Sequence, residues 1–223
     1  MKTPSKSAPA AALLLLAGLL GGCLSNGSGD RQEGEDAAAT PVQVTNLAAG
    51  RYAVIAGTAQ APLYGSYYAG SDSRVLVLND TALSAQSLFV QRAGQPWQAT
   101  PSPGTPEVSF LQVSPLPDAA PISAHELAGN YLTELERASY AGLRVSADGS
   151  LSAYMISDCE LTGMLSDISV NGSLYATVET RDCPTLPERL EGTLLVDTDY
   201  HPARFRLVLA RDEQVFDLWF YPD

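Results

Sequence analysis

The stretch Leu143-Arg-Val-Ser-Ala-Asp148-Gly149-Ser-Leu-Ser-Ala-Tyr-Met155 decides the fold of this chain. Apolar and polar residues alternate on both sides of Asp148-Gly149, which is the pattern of two half-buried strands. An Asp-Gly or Asn-Gly pair between alternating runs predicts a β-hairpin, because both central residues of a type I′ turn need positive φ. The same pattern recurs around Asn171-Gly172, with Ile168 and Val170 before it and Leu174, Ala176 and Val178 after it. The sequence therefore predicts consecutive antiparallel hairpins.

Further alternating runs follow at 190–196, 205–209 and 215–221. The last two runs place one set of apolar residues on a single face: Phe205, Leu207, Leu209, Phe216, Leu218 and Phe220. Arg204, Arg206 and Asp217 lie on the opposite face. Roughly eight short strands joined by short turns are typical of an up-and-down meander. We expect an all-β, antiparallel meander that forms a small barrel or half-barrel over residues 124–223.

A smaller, Pro-rich β segment precedes this region. Residues 42–113 contain short runs rich in β-branched and aromatic residues, separated by Gly, Asn, Asp and Pro clusters. Residues 114–123 then read as a Pro-rich linker, and Ser123-x-x-Glu126 has the form of a capping box that begins a short helix. The segment Leu47–Tyr52 also echoes Leu127–Tyr131, which leaves duplication of one β module as an alternative interpretation.

The N-terminal residues predict export and attachment to a membrane. Lys2 and Lys6 precede an apolar run over 8–20, which is too short for a transmembrane helix. The run ends in Leu20-Gly21-Gly22-Cys23, which resembles the lipobox of bacterial type II signal peptides. This resemblance implies that residues 1–22 are removed and that Cys23 is lipidated. Residues 23–41, rich in Gly, Ser, Ala and acids, are then expected to be a disordered tether. Leu24 replaces the Asp that favours inner-membrane retention in similar lipoproteins, so we expect an outer-membrane protein that faces the periplasm.

Charge argues against nucleic acid as a partner. Removal of residues 1–22, with Lys2 and Lys6, leaves 13 − 2 = 11 basic residues against 25 acidic ones, a formal charge of 11 − 25 = −14. Such a chain repels phosphate backbones.

The cysteines agree with the predicted location in the periplasm. With Cys23 lipidated, Cys159 and Cys183 remain as a pair in an oxidising environment, and we expect a disulfide between them. The CxxC spacing of redox sites is absent, and a zinc site would need two further ligands.

The sequence offers little catalytic chemistry. It has two histidines, and it contains neither a GxSxG elbow nor a phosphate-binding glycine loop, so we expect no enzyme activity and no cofactor. Asp197-x-Asp199-x-His201 would share one face of a strand and could bind a metal, although Asp-Tyr-His-Pro is also ordinary turn sequence. Tyr64, Tyr67, Tyr68 and Tyr221 could form a binding face or could be half-buried strand residues.

Residues 127–221 support a second resemblance. Gly129-x-Tyr131, Asp148-Gly149, Cys159 with Leu161-Thr-Gly163, Cys183 and Glu191-Gly192 resemble the disulfide-bearing β-meander domains of small, mostly uncharacterised proteobacterial lipoproteins. The resemblance implies a fold and a location, and it supplies no catalytic residues.

Three functions remain open. The first is a non-catalytic accessory factor that binds another envelope protein. The second is a carrier of an apolar or lipid ligand in a lipocalin-like barrel. The third is an inhibitor of an envelope hydrolase that acts through an exposed loop such as 197–202. Bulky inward residues such as Phe205 and Phe216 should fill a small barrel, which favours the accessory factor.

Overall fold

The structure is a computed structural model that describes residues 41–134, 140–154, 159–183 and 186–223, with only the backbone described for 167–169. Cys23, the lipobox, residues 23–40 of the expected tether and Met155 lie outside these ranges. The described residues belong to one compact unit, Ala39–Asp223. No helix in these ranges is long and apolar enough to cross a membrane.

The first half of this unit is a curled antiparallel sheet, which we call the N-terminal sheet. Its elements in chain order are β1 Gln43–Val44, β2 Gly50–Thr58, β3 Ala61–Ala69, β4 Arg74–Asn79, β5 Ala85–Gln91, β6 Gln98–Thr100, β7 Glu107–Val108 and β8 Phe110–Leu116. Six of them pair in the order β6-β5-β4-β3-β2-β8. β1 pairs in parallel with β7, and Val42, directly before β1, forms a bridge to Trp97, directly before β6. Val42 and Val44 belong to the same hydrophobic cluster as residues of β3 and β4, so this segment closes one face of the sheet.

That closed face holds its own hydrophobic core. Tyr67, Leu76 and Phe89 from three neighbouring strands are at most 2% exposed, and Trp97 completes the cluster. The ring of Tyr67 lies 6.0 Å from that of Trp97, at a tilt of 57°. It lies 5.8 Å from that of Phe110, in the edge-on arrangement that aromatic quadrupoles favour. Residues 114–116, at the start of the expected linker, belong to β8.

The second half is a closed barrel of eight antiparallel strands, which confirms the predicted all-β meander. Its strands are β9 Gly129–Glu134, β10 Tyr140–Val145, β11 Ser150–Tyr154, β12 Glu160–Val170, β13 Ser173–Arg181, β14 Arg189–Leu195, β15 Phe205–Arg211 and β16 Gln214–Pro222. The last strand, β16, pairs with the first, β9, through Tyr221↔Leu132 and Pro222↔Tyr131. Closure leaves no free strand edge on the barrel.

The predicted helix before the barrel is a 3-10 turn, Ala124–Leu127, and the predicted capping box is confirmed. The Ser123 hydroxyl accepts from the Glu126 backbone N–H, while the Glu126 carboxylate accepts from the Ser123 N–H at 3.0 Å. Leu127 from this turn is fully buried in the barrel core. The turn therefore covers one end of the barrel.

The two predicted hairpins form, with different turns. Asn171 (φ 46°) and Gly172 (φ 91°) both have the positive φ of a type I′ turn. At Asp148-Gly149 only Gly149 has positive φ (88°), so the expected type I′ turn is wrong there. The reason is the Asp148 carboxylate, which accepts from the Ser150 N–H at 3.0 Å and hydroxyl at 2.7 Å and so fixes a longer turn from Ser146 to Ser150.

Side chains fill the barrel. The alternating apolar residues of β15 and β16 point inward as predicted, and the rings of Phe205 and Phe220 stack at 5.0 Å. Leu174, Leu194 and Phe205 are fully buried. The interior cluster contains, besides Phe205 and Phe220, the residues Ala124, Leu127, Tyr131, Leu143, Val145, Leu151, Leu165, Leu174, Ala176, Val178, Leu190, Leu194, Leu207 and Leu209. None of these core residues lines any of four hollows found at the surface of the described residues.

The two echoing segments share a local structure. The Tyr131 hydroxyl donates to the Leu127 carbonyl at 2.7 Å, and the Tyr52 hydroxyl donates to the Ala48 carbonyl at 3.1 Å. In each half this tyrosine lies in a strand that pairs with both the next strand and the last strand of its meander. The sequence echo therefore corresponds to the same position in the two sheets.

Candidate binding groove between the N-terminal sheet and the barrel

The N-terminal sheet packs its other face against the outside of the barrel. Tyr68, Val77 and Leu88 from the sheet meet Leu195 and Val208 from β14 and β15, and all five are at most 3% exposed. At roughly 1.5–3 kcal/mol for each large apolar side chain removed from water, this contact fixes the two halves together.

A buried ion pair lies within this contact. The Arg206 guanidinium donates from Nε and Nη2 to the two carboxylate oxygens of Asp217, each at 2.7 Å, and Nη2 also reaches Asn79 Oδ1 at 2.8 Å. Asp217 accepts in addition from the backbone N–H of Ala85 in the sheet, at 2.7 Å. Burial alone would lower the pKa of Arg206, but the bonds to Asp217 reverse this and hold the pKa above its ordinary value. A bidentate pair of this kind stays charged when water is excluded.

Further polar links join the halves beside this pair. Arg51 in β2 forms an ion pair with Asp197, which precedes the 3-10 turn Thr198–Tyr200. The hydroxyls of Tyr68 and Tyr200 lie 3.1 Å apart. Burial, with Tyr200 close by, raises the pKa of Tyr68 well above its ordinary value. These side chains are therefore neutral phenols that carry the contact through hydrogen bonds.

A groove opens along one edge of this contact, and we call it the interface groove. Its larger part, about 560 Å³, is lined by the ends of β4 and β5 and the 91–98 loop on the sheet side and by β12–β14 on the barrel side. A smaller part of about 310 Å³ continues past Tyr175 toward Ala210 and Arg211. Val90, Arg92, Gln98, Tyr175 and Gly192 line both parts. Hollows of this size at the junction of two modules are where proteins commonly bind ligands.

A charged cluster divides the two parts of the groove. The Arg92 guanidinium lies 4.1 Å from the centre of the Tyr175 ring and 3.0 Å from Glu191 Oε2, and the Tyr175 hydroxyl donates to the same carboxylate. Arg189 donates to Glu191 Oε1 at 3.1 Å. Burial, followed by the bond to Glu191, raises the pKa of Tyr175. The Tyr175 hydrogen bond, with Arg92 and Arg189, lowers the pKa of Glu191. The cluster therefore has a fixed charge state at neutral pH.

The predicted disulfide is confirmed and lies away from this groove. It joins Cys159, directly before β12, to Cys183, two residues after the end of β13, at a Cα–Cα distance of 4.5 Å. A wide hollow of about 1120 Å³ lies beside it, lined by exposed charged residues such as Glu160 and Arg181, which pair at 3.1 Å. Because these charges are solvated, the hollow offers less binding free energy than the interface groove.

The predicted geometry of Asp197, Asp199 and His201 is wrong. These residues do not share a strand face, because Thr198–Tyr200 forms a 3-10 turn that Asp197 caps by accepting from the Asp199 N–H at 3.2 Å. The other carboxylate oxygen of Asp197 is taken by Arg51, and Asp199 and His201 are exposed. Within the described ranges, no three His, Cys, Asp or Glu side chains gather in a way that could hold a metal.

The four tyrosines for which a binding face was left open are separated in the structure. Tyr67 and Tyr68 are adjacent in β3, so their side chains point to opposite faces and are buried in different cores. Tyr64 and Tyr221 are 52% and 39% exposed and belong to different sheets. These four tyrosines therefore do not form a single face.

Sequence reasoning missed the contact between the halves and the groove beside it. Arg206 and Asp217, in the contact, alternate with core residues, which is also the pattern of a solvent-facing strand surface. In the groove, Arg92 and Tyr175 carry no motif, and the resemblance that includes Glu191-Gly192 gave Glu191 no binding role. The comparisons offer no further guide, because no family model, no curated protein and no solved structure matches this chain.

Proposed function

We propose that this protein is a non-catalytic, lipid-anchored factor of the bacterial outer membrane, which faces the periplasm and binds another envelope protein in its interface groove. The lipobox at Leu20–Cys23 and the Cys159–Cys183 disulfide support the location, because stable disulfides form in oxidising compartments. A lipid on Cys23 together with the tether would hold the β body beside the membrane.

The observation that carries the binding role is the contrast between the barrel and the groove. The barrel interior is packed with Leu, Val and Phe side chains, which favours an accessory factor over a lipocalin-like carrier. The interface groove is a hollow built jointly by both halves, which the buried contact of Tyr68, Val77 and Leu88 with the barrel holds together. A rigid, preformed groove loses little conformational entropy when a partner binds.

Photo-crosslinking in the native host tests this role. A photoreactive side chain at Gln95, an exposed residue that lines the groove, should link the full-length protein to a discrete envelope protein. The matched control is Gln112, an exposed glutamine of β8 at the other edge of the same sheet, which should give no product. Equal products at both positions, or a product at Gln112 alone, would refute binding in the groove.

The anchor is tested separately. Cys23→Ala should move the protein from the membrane fraction to the soluble periplasm, because the lipid supplies the attachment. A variant that stays in the membrane fraction would contradict lipidation at Cys23 while leaving the groove experiment valid.

A further inference from the structure

The larger part of the interface groove has a local charge opposite to that of the whole protein. The chain carries a formal charge of −12, yet the described residues that line this part include Arg74 and Arg92 and no Asp or Glu. Local positive charge in an otherwise acidic protein selects an anionic group on the ligand.

The two arginines differ in whether an acidic side chain of the protein already pairs with them. Arg92 is paired with Glu191 at 3.0 Å and stacks on Tyr175. Arg74 forms no ion pair among the described residues; its Nη1 donates to Gln91 Oε1 at 3.1 Å, and its buried Nε has no acceptor. A half-buried guanidinium with unused donors is a recognition group for a carboxylate, which it can bind in bidentate fashion.

The remaining lining indicates which kind of molecule carries that carboxylate. Val75, Val90 and Pro96 give the groove an apolar surface, while the side-chain amides of Gln95 and Gln98 lie among them. A peptide can satisfy these amides with its own backbone N–H and C=O groups, whereas a hydrocarbon chain would leave them unpaired. The groove is also partly open to solvent, so a bound segment can continue into the rest of a larger protein.

Resting on the proposed function, we propose that the interface groove binds an extended peptide segment of the partner protein that carries an acidic side chain, and that Arg74 binds its carboxylate. The apolar walls then contact the neighbouring residues of the segment, and Arg92 stays bound to Glu191.

Fluorescence anisotropy with the full-length protein in detergent tests this assignment. The probes are two labelled seven-residue peptides of alternating threonine and valine, one with glutamate and one with glutamine at the fourth position. The wild type should bind the glutamate peptide about tenfold more tightly, because hydrogen bonds to charged groups are stronger than neutral ones. Added salt should reduce this preference, since a partly exposed ion pair is screened.

Two arginine variants locate the effect. Arg74→Gln should remove the preference for glutamate without leaving a carboxylate of the protein unpaired. Arg144→Gln should retain the preference, because Arg144 is exposed on the barrel, bonds to Asn130 at 3.1 Å and does not line the groove. If Arg74→Gln proves misfolded by near-UV circular dichroism, Ser73→Glu serves instead, since it places a competing carboxylate beside Arg74 in the groove.

Each other outcome overturns the assignment. Equal affinity of the wild type for both peptides, a preference that persists in Arg74→Gln, or no peptide binding at all would exclude it. Binding of oleate in place of the peptides would assign the groove to a lipid. A crosslinked partner at Gln95 combined with equal peptide affinities would refute the role of Arg74 and leave the proposed function standing.

Discussion

Asp217→Ala should be among the most destabilising substitutions on the barrel surface. The change removes the two carboxylate oxygens of Asp217 that accept hydrogen bonds from Arg206. One of these oxygens also accepts from the Ala85 N–H, which loses its acceptor as well. Arg206, 3% exposed, would keep a buried charge whose remaining hydrogen bonds are to neutral groups, among them Asn79 Oδ1 and the Leu83 carbonyl. Breaking a buried ion pair in this way costs about 3–5 kcal/mol. For a protein of this size the melting temperature should fall by roughly 10 °C.

Equilibrium urea unfolding of residues 41–223, made in the periplasm, measures this loss. The two tryptophans lie in different parts of the fold: Trp97 is in the core of the N-terminal sheet, and Trp219 lies 4.9 Å from the Arg206 guanidinium at the interface. Fluorescence in Trp97→Phe and in Trp219→Phe backgrounds therefore reports each half. Because the ion pair and the apolar contact join the halves, each fluorescence transition should coincide with the far-UV circular dichroism of the same variant.

Two controls separate the ion pair from general damage. Asp199→Ala removes an exposed carboxylate and should change stability by less than about 0.5 kcal/mol. The double variant Arg206→Met with Asp217→Leu should recover about 2 kcal/mol relative to Asp217→Ala, because no buried charge is left unpaired. A loss below about 1 kcal/mol in Asp217→Ala would refute the reasoning about the buried pair. A fluorescence transition that departs from the circular dichroism of the same single-tryptophan variant would refute the joint unfolding of the halves.

The remaining predictions concern the disulfide, a strand glycine and the charged cluster. Replacing Cys159 and Cys183 by Ala should lower the free energy of unfolding by about 3 kcal/mol on the chain-entropy model, and unchanged urea midpoints would contradict this. Gly192→Ala should lower the free energy of unfolding by about 1–3 kcal/mol, because the added Cβ would collide with the Val208 carbonyl of the adjacent strand. Gly104→Ala is the neutral control in the same thermal melts, because a Cβ at position 104 would have no atom within 4 Å. Glu191 has a lowered folded pKa, so its stabilisation is present above its unfolded pKa of about 4.3 and is lost as pH falls through the folded value. The melting temperatures of the wild type and Glu191→Gln should therefore differ at pH 7 and converge toward pH 3, and a constant difference would show that the carboxylate charge is not the cause.

The barrel was predictable from sequence because its determinants are local. Alternation in residues 205–209 and 215–221 assigns each side chain to a face, and Asn171-Gly172 fixes a turn, without knowledge of distant residues. The capping box at Ser123 is likewise contained in four residues. Among these local features, only the turn at Asp148-Gly149 differs from the type I′ turn that its sequence predicts. The reason is that the Asp148 carboxylate competes with the backbone for the Ser150 N–H.

The groove was not predictable for the opposite reason. Its residues come from strands that are about one hundred positions apart, as in the Arg92–Glu191 pair, and one sequence does not reveal such pairings. The same limit applies to Asp197, for which the sequence left both a turn and a metal site open, since its actual partner, Arg51, lies 146 residues away. An alternation of apolar and polar residues assigns each side chain to one face of a sheet. It does not show whether the polar face is exposed to water or packs against a second sheet.

Native mass spectrometry of the full-length protein, gently extracted from membranes, tests the central claim most directly. Gln98→Trp fills the interface groove at a position that lines both of its parts, and Gln112→Trp adds the same bulk at the opposite edge of the sheet. We predict that the wild type and Gln112→Trp retain a second protein in a fixed ratio and that Gln98→Trp loses it. A partner retained equally by all three forms, or a bound mass of only a few hundred daltons, would contradict the account.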